Sequence, residues 1–392
     1  MKSFQTRLYV YCFLRELILI YPFYAIMFVE NGLSPVEVST LFAVWSGIVI
    51  ALEIPSGALA DRYSRKAVLF SGQVLRALGF ACWLMFPGFW GYLIGFLLWG
   101  TTSALASGAF EALIYDELVA CSVESDFVRV LGRARSAGTV GLIATSLSVI
   151  WLVDLGYEWL LWASALGALL SGCALLTLPS AARSDHDVQD YRALLREGVQ
   201  HATTNRSILA LIVFSSIAYS LPQSLDEYIT ILATEVGFRK SMLGPLLAVI
   251  YVAQATASAI AHRFEFINGR AYFAVFLSCG LLLILAGQRA DMFSIAIVVI
   301  FVMMFEIINV LLNGRLQASI PSHIRATISS VKGFGTEMTG IIIFLGMGFA
   351  VGDGSYSHGY ATLGLIVAII GLSYLLINPS FDIDDPAPPD EQ

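Results

Sequence analysis

Residues 41–66 read LFAVWSGIVIALEIPSGALADRYSRK, an apolar run that ends in a charged loop. Between residues 41 and 60 the one charged side chain is that of Glu53. A stretch of about 20 predominantly apolar residues is long enough to cross the hydrocarbon core of a bilayer as a helix. This part of the sequence therefore predicts a membrane-spanning helix that ends where the charges begin.

The composition of the whole chain agrees with this local pattern. Of the 392 residues, 57% are hydrophobic and 13% are charged, whereas a soluble domain carries about 25% charged residues. So few charges cannot cover a water-facing surface, which excludes a soluble enzyme. The net charge of −7 and the lack of a basic stripe argue against nucleic-acid binding. The five cysteines have no metal or redox spacing, so we expect no metal site and no cofactor.

Apolar runs between charges and turns predict twelve spans, hence an all-α membrane protein with two six-helix bundles. The spans of the first half are 8–30, 36–58, 67–86, 90–117, 136–154 and 158–178. Those of the second half are 207–233, 241–262, 271–288, 292–314, 328–351 and 359–378. The predicted domains are an N-terminal bundle over 1–178, a cytoplasmic linker with an amphipathic helix over 179–206, a C-terminal bundle over 207–378 and a disordered acidic tail over 379–392.

The distribution of lysine and arginine predicts the orientation of these spans. With both termini in the cytoplasm, 16 of the 22 basic residues fall on cytoplasmic segments and three fall outside. Because short cytoplasmic loops are enriched in lysine and arginine, this asymmetry favours a multi-pass protein of the cell inner membrane with both termini inside. The three remaining basic residues, Arg15, Arg76 and Lys332, lie within spans.

The loop between spans two and three, GALADRYSRK at residues 57–66, resembles the signature G-x-x-x-D-R-x-x-R-K of the major facilitator superfamily. The preceding Glu53-Ile-Pro55-Ser-Gly57 resembles a subgroup of prokaryotic permeases in that superfamily. The resemblance covers nearly the whole chain and implies a transporter, not an enzyme. Its two six-helix halves would alternately open a central cavity to each side of the membrane.

In that family the loop forms a cytoplasmic latch between the two halves. Here the resemblance places the carboxylate of Asp61 against the start of span eleven, roughly residues 322–327, where helical N–H groups are unpaired. The basic side chains of the loop would pair with acids that close span four. The predicted latch residues are Gly57, Asp61, Arg62, Arg65, Lys66 and Asp116. The alternative is that the basic residues only set the topology.

Ionisable residues inside spans form two groups, and each costs about 2.5–3.5 kcal/mol on insertion scales, so each needs a partner or a purpose. In the first half, Arg15 is predicted to pair with Glu111 or Glu53. In the second half, Lys332 is grouped with Glu306 and Glu337. The alternative is that each group is an ion pair that only holds helices together.

Each group has two acids for one base, so one carboxylate would be left to take up and release a proton. The predicted proton-coupling residues are therefore Glu111 and Glu337 first, then Glu53 and Glu306, with Arg15 and Lys332 as their charge partners. Polar side chains that could face a cavity are Tyr21, Tyr24, Tyr219, Gln223, Asn309 and Asn313. The alternative for the tyrosines is an interfacial belt.

These observations predict a monomeric secondary transporter that binds a small-molecule solute and protons within the lipid bilayer. We expect proton-coupled efflux of a small organic solute. Drug–proton antiporters of the superfamily usually carry an arginine in span four and a proline in span five, and both are absent here. An importer of a nutrient or metal chelate is therefore the alternative, and a transport-inactive membrane sensor or scaffold is a third reading.

Overall fold

The computed structural model describes residues 2–179, 200, 203–267, 269–320, 324–352 and 354–377. Over these residues the chain is α-helical and contains no β-strand, which confirms the predicted fold class. The amphipathic helix predicted in the linker and the acidic tail predicted over 379–392 lie outside the described residues.

The helices cluster into two compact units. The first comprises Met1–His186 and Arg239–Tyr251, and the second comprises Asp187–Phe238 and Val252–Gln392. In chain order the first seven helices are α1 Lys2–Arg15, α2 Tyr24–Glu30, α3 Pro35–Arg62, α4 Arg65–Met85, α5 Phe89–Ala120, α6 Phe127–Leu152 and α7 Tyr157–Leu176. The next six are α8 Arg206–Glu235, α9 Leu243–Ile260, α10 Gly269–Arg289, α11 Met292–Ala318, α12 Arg325–Val351 and α13 Tyr356–Ile377. These units differ from the predicted bundles in assigning Arg239–Tyr251 to the first unit and in having no separate linker over 179–206; the predicted boundaries stay a prediction.

Among the described residues, ten helices are long and apolar enough to cross a membrane. The other two predicted spans are the first and the last. The structure divides the predicted span 8–30 into α1 and α2. Helix α13 follows the predicted span 359–378 as far as Ile377, and its apolar part, Tyr356–Leu372, is shorter than the ten.

Local sequence signals fix several helix starts. Before α3, the Ser34 hydroxyl accepts a hydrogen bond from the Glu37 N–H at 3.3 Å, and the Glu37 carboxylate accepts one from the Ser34 N–H at 2.8 Å. This reciprocal pair satisfies two donors that a helix start leaves free. Asp291 caps α11 in the same reciprocal way with Ser294.

An aromatic core fills the part of the first unit where α2 packs on its neighbours. Tyr24 is only 3% exposed, and its ring centroid lies 5.9 Å from that of Phe42 and 5.8 Å from that of Trp83. Phe28, one turn later, lies 4.2 Å from Tyr92. These rings bind the seven-residue helix α2 to α3, α4 and α5.

In the second unit, glycines let α10 and α13 approach backbone to backbone. A Cβ atom at Gly280 would stand 2.4 Å from the Ala368 nitrogen, and one at Gly364 would stand 2.6 Å from the Ile284 nitrogen. No side chain fits at such distances, so small residues at these positions permit the close packing that membrane helices use.

Candidate functional site

The first span is interrupted near its middle. Helix α1 ends at Arg15, and α2 begins only at Tyr24. In the break, the Leu17 N–H bonds to the Leu14 carbonyl at 3.1 Å and the Ile18 N–H bonds to the Glu16 carbonyl at 2.8 Å, so the regular helical pattern is lost. Pro22, which has no N–H to donate, lies within the same segment.

Neighbouring helices satisfy the backbone groups that the break frees. The Ser164 hydroxyl of α7 accepts a hydrogen bond from the Ile20 N–H at 3.0 Å. The Thr145 hydroxyl of α6 donates one to the Glu16 carbonyl at 2.9 Å. Non-helical backbone at membrane depth is tolerated where protein supplies such partners, so the break is built into the fold.

Two glycines allow α6 and α7 to approach the backbone around the break closely. A Cβ atom at Gly141 of α6 would stand 2.5 Å from the Phe13 carbonyl oxygen. One at Gly167 of α7 would stand 2.6 Å from the Leu17 carbonyl oxygen. The close approach of both helices therefore depends on the missing side chains.

A charged pair occupies the start of the break. The Nε and Nη2 atoms of Arg15 both donate to Oε1 of Glu16, at 2.9 and 2.8 Å. The two side chains are 28% and 24% exposed. The Arg15 guanidinium also lies over the ring of Phe110, 5.4 Å from its centroid. The pair is thus partly accessible yet held in place.

Behind this pair lies a second, buried guanidinium. Arg76 of α4 is 5% exposed and is in electrostatic range of both Arg15 and Glu16. Its Nη2 donates to Oε1 of Gln73 at 2.6 Å, and the same oxygen accepts the Ser171 hydroxyl at 2.9 Å. Its Nε finds no hydrogen-bond acceptor among the described residues. We call Arg15, Glu16 and Arg76 the charged cluster; with Glu16 ionised, its formal charge is +1.

The structure gives Arg15 a different partner from the two that the sequence predicts. Glu111 pairs with Arg135 at 2.7 Å, with side chains that are 46% and 68% exposed. Glu53 is exposed and accepts the Ser107 hydroxyl at 3.0 Å. Because Arg15 is the last residue of α1, the following residue, Glu16, turns back to meet it. The expected Arg15–Glu111 and Arg15–Glu53 pairs are thus replaced by Arg15–Glu16.

In the second unit, Lys332 contacts two of the predicted cavity residues, and a third contacts one of these two. Its ammonium donates to Oδ1 of Asn313 at 2.9 Å and lies 5.9 Å from the centroid of the Tyr219 ring. The Tyr219 hydroxyl accepts a hydrogen bond from Gln223 at 3.3 Å. The structure therefore brings side chains of α8, α11 and α12 into one polar group.

The structure shows the neighbours of one of the two carboxylates expected beside Lys332. Glu306 is within hydrogen-bond reach of Asn309 on its own helix and of Ser258 on α9. Glu337 is half-buried and has interactions of its own. The described contacts of Lys332 are with the amide of Asn313 and the ring of Tyr219, and its grouping with Glu306 and Glu337 stays a prediction.

The two tyrosines of the first span differ in placement. Tyr24 points into the aromatic core of the first unit, so its ring packs and does not line a cavity. Tyr21 is half-buried and lies against Tyr24, with ring centroids 5.6 Å apart. The cavity role expected of Tyr24 is therefore corrected to a packing role.

Part of the predicted latch is described. Arg65 donates to the Asp116 carboxylate, and its Nη1 also donates to the Ala112 carbonyl at 2.7 Å. Lys66 donates to the Leu178 carbonyl, and Arg62 lies over the ring of Tyr63. A Cβ atom at Gly57 would meet nothing within 4 Å. The side chain of Asp61 and residues 321–323 lie outside the described part, so the latch between halves stays a prediction.

The sequence did not indicate two polar groups that the structure assembles. One is the pairing of Glu16 with Arg15 in front of Arg76; the adjacent charges Arg15-Glu16 within an apolar run were the available signal. The other joins Glu30 at the end of α2, Tyr157 at the start of α7 and Lys240 before α9, with Lys240–Glu30 at 2.6 Å and Tyr157–Glu30 at 2.8 Å.

Known structures share the fold of this chain. The nucleoside transporter NupG is 15% identical, with a TM-score of 0.76, over 95% of this chain and 99% of that one. A bacterial homologue of the human lysosomal transporter Spinster, inward-facing and unoccupied, is 13% identical with a TM-score of 0.75, over 99% and 98%. A D-xylose-proton symporter is 14% identical with a TM-score of 0.69, over 94% and 97%.

Two relatives named Multidrug resistance protein MdtH are similar to part of the chain. The protein of Yersinia enterocolitica is 24% identical over 221 residues, 56% of this chain and 53% of the relative. That of Edwardsiella ictaluri is 26% identical over 226 residues, 55% and 52%. The chain spans about half the length of the curated relatives that it matches.

The family model of the Major Facilitator Superfamily matches residues 11–343. The match extends across α2–α11 and most of α12, well beyond the loop at residues 57–66, and confirms the resemblance that the loop carries. This chain belongs to the Major Facilitator Superfamily of membrane transporters.

Proposed function

We propose that this chain is a proton-coupled secondary transporter of a small organic solute, with the charged cluster at the break as its coupling site. The observation that carries the proposal is the Arg15–Glu16 pair, partly exposed at an interrupted span and backed by the buried Arg76. Interrupted helices are where many transporters bind substrates and ions. Ionisable residues inside spans are costly and are kept mainly at such pathways.

Glu16 is the proton carrier in this proposal. Protonation removes the negative partner of Arg15, so the protonated and ionised states of the cluster bind a charged solute differently. Such a difference is what couples the solute to the proton. The carboxylates chosen from the sequence, Glu111, Glu337, Glu53 and Glu306, are second choices; Glu111 in particular pairs with Arg135 at an exposed position.

The direction that we propose is efflux. It is supported by the similarity to the two MdtH proteins, whose names describe multidrug resistance. Uptake is the second candidate, and the excess positive charge of the cluster favours it. An anionic solute would bind best when Glu16 is protonated, so that solute and proton would travel in the same direction.

The sign of a pH change separates the two directions. Purified protein is reconstituted into liposomes that contain a trapped pH-sensitive dye, and aromatic amines, organic carboxylates, sugars and nucleosides are added outside in turn. Exchange for protons, as efflux requires, makes the interior more alkaline as solute enters. Co-transport makes it more acidic. Protein-free liposomes report direct permeation of each solute.

A third outcome tests the proposal itself. If no member of the panel changes the internal pH beyond the protein-free control, while the reconstituted protein is folded by its circular dichroism spectrum, proton-coupled transport is contradicted. The transport-inactive sensor or scaffold would then be the better reading.

We also propose an inner-membrane location with both termini in the cytoplasm, supported by the lysine and arginine asymmetry and by the bacterial MdtH relatives. Cys121 is exposed just after α5 and Pro87 is exposed just before it, so they mark opposite ends of one helix. Cys12, Cys82, Cys173 and Cys279 are first replaced by serine, so that one thiol is tested at a time. In intact cells an impermeant maleimide should then label Pro87→Cys combined with Cys121→Ser, and leave Cys121 unlabelled. The reverse pattern contradicts the orientation.

A further inference from the structure

The charge balance of the cluster indicates the chemical class of the solute. Two guanidiniums, Arg15 and Arg76, face one carboxylate, Glu16. Arg76 is 95% buried, as its 5% exposure shows, and its Nε lacks an acceptor among the described residues. A buried donor left unpaired costs about 1–3 kcal/mol, and more when the group is charged. An additional negative group would remove this cost.

The existing contacts show how such a group would fit. The Nε and Nη2 donors of Arg15 converge on one oxygen of Glu16, so an internal carboxylate already occupies a position that an external carboxylate could take. The neutral oxygen of Gln73 is the described hydrogen-bond acceptor of Arg76. Guanidinium groups match planar carboxylates through paired N–H donors, which gives both strength and orientation.

We propose that the charged cluster binds an organic anion, with the carboxylate of the solute held by the guanidiniums of Arg76 and Arg15. This inference deepens the second candidate, uptake, because an anion that binds best with Glu16 protonated moves in the same direction as the proton. It rests on the proposed function only in taking the cluster as the solute site. It predicts that charge, not only size and hydrophobicity, selects the solute.

The test compares two probes of equal size, 2-naphthoate and its neutral amide 2-naphthamide. Binding to the purified full-length protein in detergent is measured by isothermal titration calorimetry. We expect the wild type to bind the carboxylate at least about tenfold more tightly, since hydrogen bonds to charged groups are worth more than neutral ones. Equal binding of both probes, or no binding of the carboxylate, overturns the inference.

Variants assign the preference to the cluster. Arg76→Met removes the buried guanidinium at similar volume. It should abolish the preference, so that 2-naphthoate and 2-naphthamide bind with about equal affinity. Arg129→Met is the matched control, because Arg129 is exposed and pairs with Asp126 at the start of α6; it should keep the wild-type ratio. A preference that survives Arg76→Met contradicts the proposed site.

A second variant decides the matter if Arg76→Met does not fold. Glu16→Gln raises the formal charge of the cluster from +1 to +2, so 2-naphthoate should bind more tightly, not less. A purely structural Arg15–Glu16 pair predicts equal or weaker binding. Because the titration needs no gradient, a protein that binds 2-naphthoate but never moves protons would overturn the proposed function and leave this inference standing.

Discussion

The buried guanidinium of Arg76 has a free-energy cost inside the membrane, and this cost bears on its function. A guanidinium inside a span is unfavourable by about 2.5–3.5 kcal/mol on insertion scales. One hydrogen bond to Gln73 and the nearby carboxylate of Glu16 offset part of this. A methionine would fill the same space without the penalty. The anion site that we propose gives this buried arginine a partner that offsets the remaining cost.

Tyr24 and Tyr219 offer a residue-scale test of the distinction between core and cavity. Tyr24 is 3% exposed among aromatic rings and Tyr219 is 41% exposed. Tyr24→Ala should lower the stability by about 3–5 kcal/mol, as for other buried aromatic residues. Tyr219→Ala should change it by about 0.5 kcal/mol or less. The measurement is thermal unfolding of each purified variant in the same detergent.

In solute binding, the expected effects of the two variants are reversed: Tyr219→Ala should have the larger effect. On the prediction that Tyr219 lines the solute cavity together with Gln223, Tyr219→Ala should alter solute affinity. A folded, fully stable Tyr24→Ala protein with weakened solute binding would contradict the placement of Tyr24 in the core.

For single residues, the sequence predicts which charged side chains lie inside spans more reliably than it predicts their contact partners. A charge within an apolar run is visible in one dimension, and Arg15 and Lys332 were found in this way. Their partners depend on helix rotation and on the break, which no spacing encodes. In the structure, Arg15 pairs with its neighbour Glu16, and Lys332 donates a hydrogen bond to the amide oxygen of Asn313.

Among the elements, the spans follow from the apolar runs, but the break in the first span does not. Residues 17–29 form an uninterrupted apolar stretch, and Pro22 is the one local signal against a helix. Proline alone does not decide, because Pro55 lies inside α3 and Pro222 inside α8. The break forms because Ser164 and Thr145 on neighbouring helices satisfy its backbone, and such tertiary contacts are not readable from local sequence.

The packing of α6 against the break yields an element-scale prediction. A Cβ atom at Gly141 would meet the Phe13 carbonyl oxygen at 2.5 Å, so Gly141→Ala must push the two segments apart. Overpacking of this kind costs about 1–3 kcal/mol. We expect a lower unfolding temperature and weaker solute binding, measured on the purified protein.

Gly138, one turn earlier on α6, is the matched control. A Cβ atom there would lie 3.6 Å from Cγ of Glu16, which is an ordinary van der Waals contact. Gly138→Ala should therefore leave the unfolding temperature close to that of the wild type. If both alanine variants behave alike, the close approach of α6 to the break is not what holds the segment.

For the whole molecule, the fold could be predicted from repeated apolar runs and one loop, because lipid restricts a chain to few architectures. The identity of the solute and the direction of transport could not be predicted in this way. The same fold is shared by a nucleoside transporter and by a D-xylose-proton symporter. Function resides in the site that a fold carries, and the site that we propose, the charged cluster, joins residues from α1 and the break to one from α4 that is distant in the sequence.

The central claim is that Glu16 couples solute movement to protons, and one comparison tests it most directly. For the solute that changes the internal pH, transport driven by a pH gradient and solute exchange without a gradient are measured side by side in liposomes. Glu16→Gln should lose the gradient-driven transport and keep the exchange, while Glu111→Gln should keep both. Wild-type gradient-driven transport in Glu16→Gln would contradict the claim.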